Sequence, residues 1–412
     1  MDLKTMSEQM KEHLLKDIVP FWRKLRDDEY GGYYGFMSYD LEVDKKAEKG
    51  CILNSRITWF FSNVFLLYKT GLIEYDDFEK YGYTYLDIRK EAMHAFEFLY
   101  EKCIDNENGG VFWSLKYDGT PEDTTKHTYN QAFCIYALAS YYDATKDERA
   151  IKLAKELVDI VENKCRDEGG YLEARKIDFT PESNEKLSEN GVMADRTMNT
   201  LLHVFEAYSE LYRVTQSEYI GEKLEWMMDT FADKIYNPLL HRQEVFFDMD
   251  YNSIVDLCSY GHDIETSWLI DRGVKILGKK EYAEMMYPIT MDLASNVYKV
   301  AFDGRSLANE CDKGVVNEGR VWWVQAETVL GFLNASLMDP TRPEFMKAAF
   351  AEWEFIKDYV IDKRKDSHEW YALVDKDGKP DPDEAIVEPW KCPYHNGRMC
   401  IEVIKKNAGI NI

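Results

Sequence analysis

Apolar residues recur along most of the chain with the period of an α-helix. In RKEAMHAFEFLYEKC (residues 89–103), Ala92, Ala95, Phe96, Leu99 and Cys103 fall at i, i+3, i+4, i+7 and i+11. In RAIKLAKELVDIVENKC (149–165), Ala150, Leu153, Ala154, Leu157, Val158 and Val161 do the same. Such spacing lays one apolar stripe along a helix and leaves the other face polar. Period-two alternation of Val, Ile and Thr is sparse and short. The pattern predicts a mainly helical protein with brief extended segments.

A turn signal punctuates the helical stretches. It reads EYGGYYG, ENGGVFW and DEGGYLE in the first half, and AFDGRSL and SHEWYAL, more degenerate, in the second. After each comes a short, partly extended stretch, and then a helix opens. The openings stack as RITWFFS from Arg56, HTYNQAFC from His127, RTMNTLLH from Arg196, HDIETSWL from His262, RVWWVQAE from Arg320 and HNGRMCIE from His395, in steps of 71, 69, 66, 58 and 75 residues. Helix hairpins repeated at such a period bury their apolar faces only by stacking on neighbours. Six of them close into a ring. The predicted fold is an all-α (α/α)6 barrel, one catalytic domain over residues 1–412, with short β-hairpin loops at the active-site end.

The stacked openings carry Arg or His, which the helix dipole disfavours at an N-terminus. Violations of local preference tend to mark functional positions. Residues three apart share a helix face. The spacing therefore predicts that Arg56/Trp59, His127/Asn130, Arg196/Asn199, His262/Glu265, Arg320/Trp323 and His395/Arg398 all face one end of the barrel axis. His203 lies on the face of Asn199, and Trp322 stands beside Trp323. Two imidazoles titrating near neutrality can move a proton to and from carbon. A nearby arginine stabilises a developing enediolate. The set points to proton abstraction beside a carbonyl, as in isomerisation or epimerisation of an open-chain sugar.

Composition sharpens this picture. Ten Trp and 28 Tyr exceed what a core requires, and sugars stack their C–H faces on aromatic rings. A net charge of −24 with no basic patch argues against nucleic acid as a partner. No apolar run approaches the roughly 18 residues of a membrane span, and the first residues lack the apolar core of a signal peptide. The eight Cys are scattered without a CxxC pair, as expected of reduced core thiols in a cytoplasmic protein. Neither a metal nor a cofactor is expected.

The motifs KHTYNQAF, SENGVMADRTMN, SYGHDIETSWL, RVWWVQAE and PWKCPYHNGRM resemble those of the cellobiose 2-epimerases, in the N-acylglucosamine 2-epimerase superfamily. The resemblance runs over nearly the whole chain. It implies an (α/α)6 barrel and epimerisation at C2 of the reducing-end sugar of β-1,4-linked disaccharides such as cellobiose or lactose, without metal or nucleotide. It further implies His262 and His395 as the proton-transferring pair, with His203 near O1 or O5 and Arg56 on the carbonyl oxygen. Tyr129, Asn199 and Glu265 would hold hydroxyls, or in the case of Glu265 orient His262. Trp323 and Trp390 would stack on the sugar rings, with Trp322 beside them. Loops 178–190 and 303–319 are expected to set substrate breadth, and the protein is expected to act as a monomer. The alternative is a mannose or other aldose–ketose isomerase on the same fold. A glycoside hydrolase fits poorly, because histidines outnumber paired carboxylates.

Overall fold

The computed structural model describes residues 1–184 and 191–410. Loop 178–190 and the motif beginning at Ser188 therefore lie partly outside the described residues. Helices alternate between an outer and an inner layer. In chain order they are outer α1 (Leu3–His13), inner α2 (Cys51–Lys69), outer α3 (Tyr85–Phe98), inner α4 (Thr128–Thr145), outer α5 (Glu148–Lys164) and inner α6 (Met198–Thr215). Outer α7 (Glu218–Thr230), inner α8 (Tyr260–Leu277), outer α9 (Lys280–Val300), inner α10 (Trp322–Met338), outer α11 (Pro343–Phe355) and inner α12 (His395–Asn407) follow. Each inner helix packs on the next, and α12 returns to α2, so the inner layer closes as the inner ring of an (α/α)6 barrel.

The two layers differ as their positions demand. Outer α5 buries Ala150, Leu153, Ala154, Leu157, Val158 and Val161, the stripe read from the sequence. Inner α4 is buried on every face from Thr128 to Tyr141. A helix enclosed all round suits the middle layer of a barrel. Two inner-helix glycines permit close approach. A Cβ at Gly331 would sit 2.4 Å from Ile264, and one at Gly397 would sit 2.6 Å from Phe60, where the ring closes. Helix α1 is the outer partner of α12, and α1 with the helical segment Val19–Lys24 that follows it is pinned to the C-terminal third through three indoles. Trp22 donates to Glu369 at 2.8 Å, Trp353 to Gln9 at 2.8 Å and Trp370 to His13 at 2.9 Å.

Five of the six inner helices are preceded by a strand of two or three residues, and each strand pairs antiparallel with one that follows the outer helix of the same hairpin. The pairs are 49–50 with 114–115, 126–127 with 174–175, 196–197 with 246–247, 257–259 with 310–312 and 320–321 with 373–374. These clamps gather the loops at the N-terminal ends of the inner helices.

An ion pair with a buried cation repeats with the units. The residue two before the inner helix is Lys49, Lys126, Arg196 or Arg320. It pairs with an aspartate in the preceding turn: Asp27 at 2.6 Å, Asp105 at 2.9 Å, Asp167 at 2.7 Å and Asp303 at 2.7 Å. Each aspartate also accepts backbone N–H groups of its own turn, Glu29 and Tyr30 for Asp27, Glu107 and Asn108 for Asp105. Arg196 and Arg320 are thus structural cations of the loops. The expected convergence of six Arg/His helix openings on the axis is corrected here. A cation spaced like the functional residues is, in these two units, the lock between turn and strand. The fourth unit tests the logic: Cys258 stands at the cation position, and the turn carries the neutral Asn237, which accepts from the N–H groups of Leu239 and Leu240.

Candidate active site

Counted from each inner helix start, the cavity-facing positions are the second and sixth, one turn apart on one face. They supply Arg56 on α2, Tyr129 on α4, Asn199 and His203 on α6, Glu265 on α8 and Trp323 on α10. His262 is the third residue of α8. His395 is the first residue of α12, behind Tyr394, whose carbonyl accepts the first helical N–H, that of Arg398. Arg56, Tyr129, Asn199, His203, His262, Glu265, Trp322, Trp323, Trp390 and His395 line one cavity of about 140 Å³ at the mouth of the barrel. Other members of the stacked pairs go elsewhere. Trp59 stacks on Tyr136 beneath the cavity, His127 bonds Asn184 at 3.0 Å, and Asn130 donates to the Phe112 carbonyl at 2.7 Å.

The two histidines are held alike but by different groups. His262 Nδ1 lies 2.7 Å from the Ser259 hydroxyl, and His395 Nδ1 lies 2.7 Å from Glu327 Oε1. Nε2 is left as the nitrogen available to the cavity in both. Trp323 stands against both rings, with centroids at 4.8 Å from His262 and 5.6 Å from His395. Glu265 does not orient His262, as the sequence reading allowed. Its carboxyl receives Arg398 at 2.5 Å and lies 4.0 Å from His395 Nδ1. One turn separates Glu265 from Gly261 on the helix face, whereas Ser259, just before the helix, reaches back to His262.

Beneath the histidines lies a buried hub that the sequence reading did not assemble. Arg398 binds Glu206, Glu265 and Glu327, and its guanidinium sits over the Tyr394 ring. Three carboxylates around one cation cannot all ionise. Arg398 and the donors His203 and Tyr394 hold Glu206 at about 2 against the cost of burial. Burial, and then the charge of Glu327, push Glu265 up to about 8, so it keeps its proton at neutral pH. Burial raises Glu327 as well, but it accepts from His395, Arg398 and Trp268, three donors that suit the ionised form. Glu265, Glu327 and His395 bring ligand-type atoms within 4.8 Å of one another, yet the Arg398 guanidinium already takes both carboxylates, so the group does not suit a divalent cation.

Burial dominates the imidazoles. It lowers His262 to about 3, with His203 adding to the effect. It also lowers His203, despite the 2.9 Å bond to Glu206, and His395, with Arg398 and Arg56 contributing. His262 and His395 are thus neutral at pH 7, the form in which either can act as a base. On the opposite wall Arg56 donates to Tyr129 OH at 2.9 Å and to the Trp390 carbonyl at 3.1 Å. Its Nε and the buried Asn199 Oδ1 have no protein partner among the described residues. Buried polar atoms left over at a cavity wall are what a hydroxylated ligand would satisfy. Trp390 packs at 5.6 Å on Trp113 and 5.8 Å on Tyr129, which completes an aromatic side.

Known proteins resemble this one closely. Residues 32–397 match the N-acylglucosamine 2-epimerase (GlcNAc 2-epimerase) family. A cellobiose 2-epimerase of Eubacterium cellulosolvens is 48% identical, with 98% of this chain and 99% of that one covered. One from Ruminococcus albus is 45% identical over 98% and 100% of the two chains. Among solved structures, a sugar epimerase from a ruminal bacterium superposes with a TM-score of 0.92 at 44% identity, covering 97% of this chain and 99% of that one. A D-mannose isomerase at 20% identity and a TM-score of 0.79, covering 98% of both chains, shares the fold. Among the described residues, no helix is long and apolar enough to cross a membrane. With the barrel, the histidine pair and these relatives in view, the chain belongs to the N-acylglucosamine 2-epimerase family and is a carbohydrate epimerase.

Proposed function

We propose that the protein inverts C2 of the reducing-end glucose of β-1,4-linked disaccharides, cellobiose and lactose among them, to give mannose at that end. The observation that carries the reading is that His262 and His395 line one cavity, each tied at Nδ1. The relatives named for cellobiose support the substrate class.

The reaction divides among the residues as follows. Arg56 and His203 engage O1 and O5 as the ring opens, and Arg56 then stabilises the carbonyl oxygen as negative charge develops. One imidazole takes the C2 proton and leaves a cis-enediolate. Rotation about C2–C3 turns the other face, and the second histidine, as imidazolium, delivers a proton to it. The reverse direction exchanges the two roles. An anionic intermediate favours imidazolium beside it, so the second histidine takes up a solvent proton at Nε2 before delivering it to C2, and the first histidine releases the abstracted C2 proton to solvent, which closes the cycle with no net change of charge. Tyr129 and Asn199 hold hydroxyls, while Trp322, Trp323 and Trp390 supply stacking faces. No step uses a metal or nucleotide. We further propose a cytoplasmic, monomeric enzyme.

Incubation with cellobiose and EDTA, read by NMR, tests the reading. The expected product is glucosyl-mannose. A ketose would instead make the protein an aldose–ketose isomerase, and free glucose would make it a hydrolase.

A further inference from the structure

Ser259 occupies the N-cap of α8, where serine ordinarily accepts a hydrogen bond from the N–H two or three residues on. It makes no such bond. At the same position before α6, Thr197 does cap, accepting from Thr200 N at 3.0 Å. Ser259 instead places its hydroxyl 2.7 Å from His262 Nδ1. Its backbone is fixed, because Ser259 pairs with Glu310 in the three-stranded sheet formed by 257–259, 310–312 and 315–317. The residue is 8% exposed, so little water competes for the hydroxyl.

We infer that Ser259 is a positioning residue that fixes the tautomer of His262 by accepting from Nδ1–H. An imidazole can act as a base at Nε2 only if its proton resides on Nδ1. A free imidazole prefers the opposite tautomer. His395 has the same requirement met by Glu327, a carboxylate that can only accept. A hydroxyl oxygen can accept from Nδ1–H of the neutral ring and of the imidazolium alike, more strongly from the latter, so Ser259 holds His262 in one orientation before and after proton transfer. The surrendered cap is the cost of that arrangement. Trp323 packs against the ring at 4.8 Å and limits its rotation, and Asp263, the neighbouring acid, is turned away to Gln243 and Cys258. No other described side chain is seen to hydrogen-bond His262 Nδ1. The inference rests on the two-histidine reading above.

The test uses the full chain with Ser259→Ala and Ser259→Thr. Nitrogen-15 NMR of histidine-labelled protein without substrate reads the tautomer directly and does not depend on the reaction assigned. The wild type should show His262 protonated at Nδ1, and Ser259→Ala should shift it toward Nε2 while the other histidine signals stay in place. With cellobiose, Ser259→Ala should lower kcat about 3- to 10-fold, the worth of one neutral hydrogen bond, with KM changed less than about twofold. Ser259→Thr keeps the hydroxyl and should recover most of the loss. An unchanged tautomer in Ser259→Ala overturns the inference, as does wild-type kcat. Failure of the wild type to epimerise while the tautomer shift is present would overturn the reaction reading and leave the positioning role standing.

Discussion

Glu327→Gln isolates what the carboxylate under His395 contributes. Glutamine keeps the shape and can keep Oε1 where His395 Nδ1 and Arg398 Nη2 both donate at 2.7 Å. Two things change. The charge-assisted bond to His395 becomes a neutral one, a difference of about 1–2 kcal/mol, which converts to a loss of roughly 5- to 30-fold in kcat. The amide NH2 must also take the place of Oε2, which now accepts from Trp268 Nε1 at 2.9 Å. Two buried donors then face each other at a cost of about 1–3 kcal/mol in stability. The variant should therefore lose kcat with little change in KM, and it should also melt earlier. Adding Trp268→Phe removes the opposing donor and should return part of the stability but none of the kcat. Steady-state epimerisation and thermal unfolding measured on wild type and the two variants separate the two effects. A kcat within twofold of wild type in Glu327→Gln would refute the assignment of Glu327 as the partner that stabilises the His395 imidazolium.

Glu265 is raised by burial to about 8, so its proton is lost above that pH; kcat should fall on the alkaline side, and Glu265→Gln should abolish that limb of a pH–rate profile. His262 is depressed to about 3 in the folded protein, against about 6.5 unfolded, so the unfolded chain binds the extra proton between these values. Its contribution to stability is therefore complete above about pH 6.5 and is lost as pH falls toward 3, and denaturant unfolding of wild type and His262→Gln should diverge in slope against pH over that window. Lys126→Met strands the buried Asp105, which Lys126 helps hold at about 2, and should cost about 3–5 kcal/mol, while Lys126→Cys with Asp105→Asn, the pair of types found at Cys258 and Asn237, should cost much less.

The barrel was legible because its evidence is periodic. Outer helices announce themselves by one apolar stripe, and the Gly-Gly turns mark where each hairpin ends. The register within each unit was harder to read. Two-residue strands are too short to show a period, so Arg196 and Arg320, which belong to the strands, were stacked with Arg56, which is the sixth residue of its helix. What separates them is the aspartate of the preceding turn, Asp167 or Asp303, visible once the ion pair is known. Ten cavity residues were nameable from motifs, since the helix faces that carry them are short and local. The hub of Glu206, Glu327 and Arg398 joins three helices that meet only when the ring closes, and no local pattern encodes that meeting. Ser259 was hidden for another reason: a serine before a helix reads as a cap.

The central claim is that two imidazoles serve opposite faces of C2, and hydrogen–deuterium exchange at C2 in D2O tests it most directly. Wild type should place deuterium at C2 of both epimers. His262→Ala and His395→Ala should each stop epimerisation, and each should still exchange the C2 proton of one epimer only, a different one in each variant. Epimerisation without deuterium at C2, or both variants retaining exchange at the same epimer, would contradict the account.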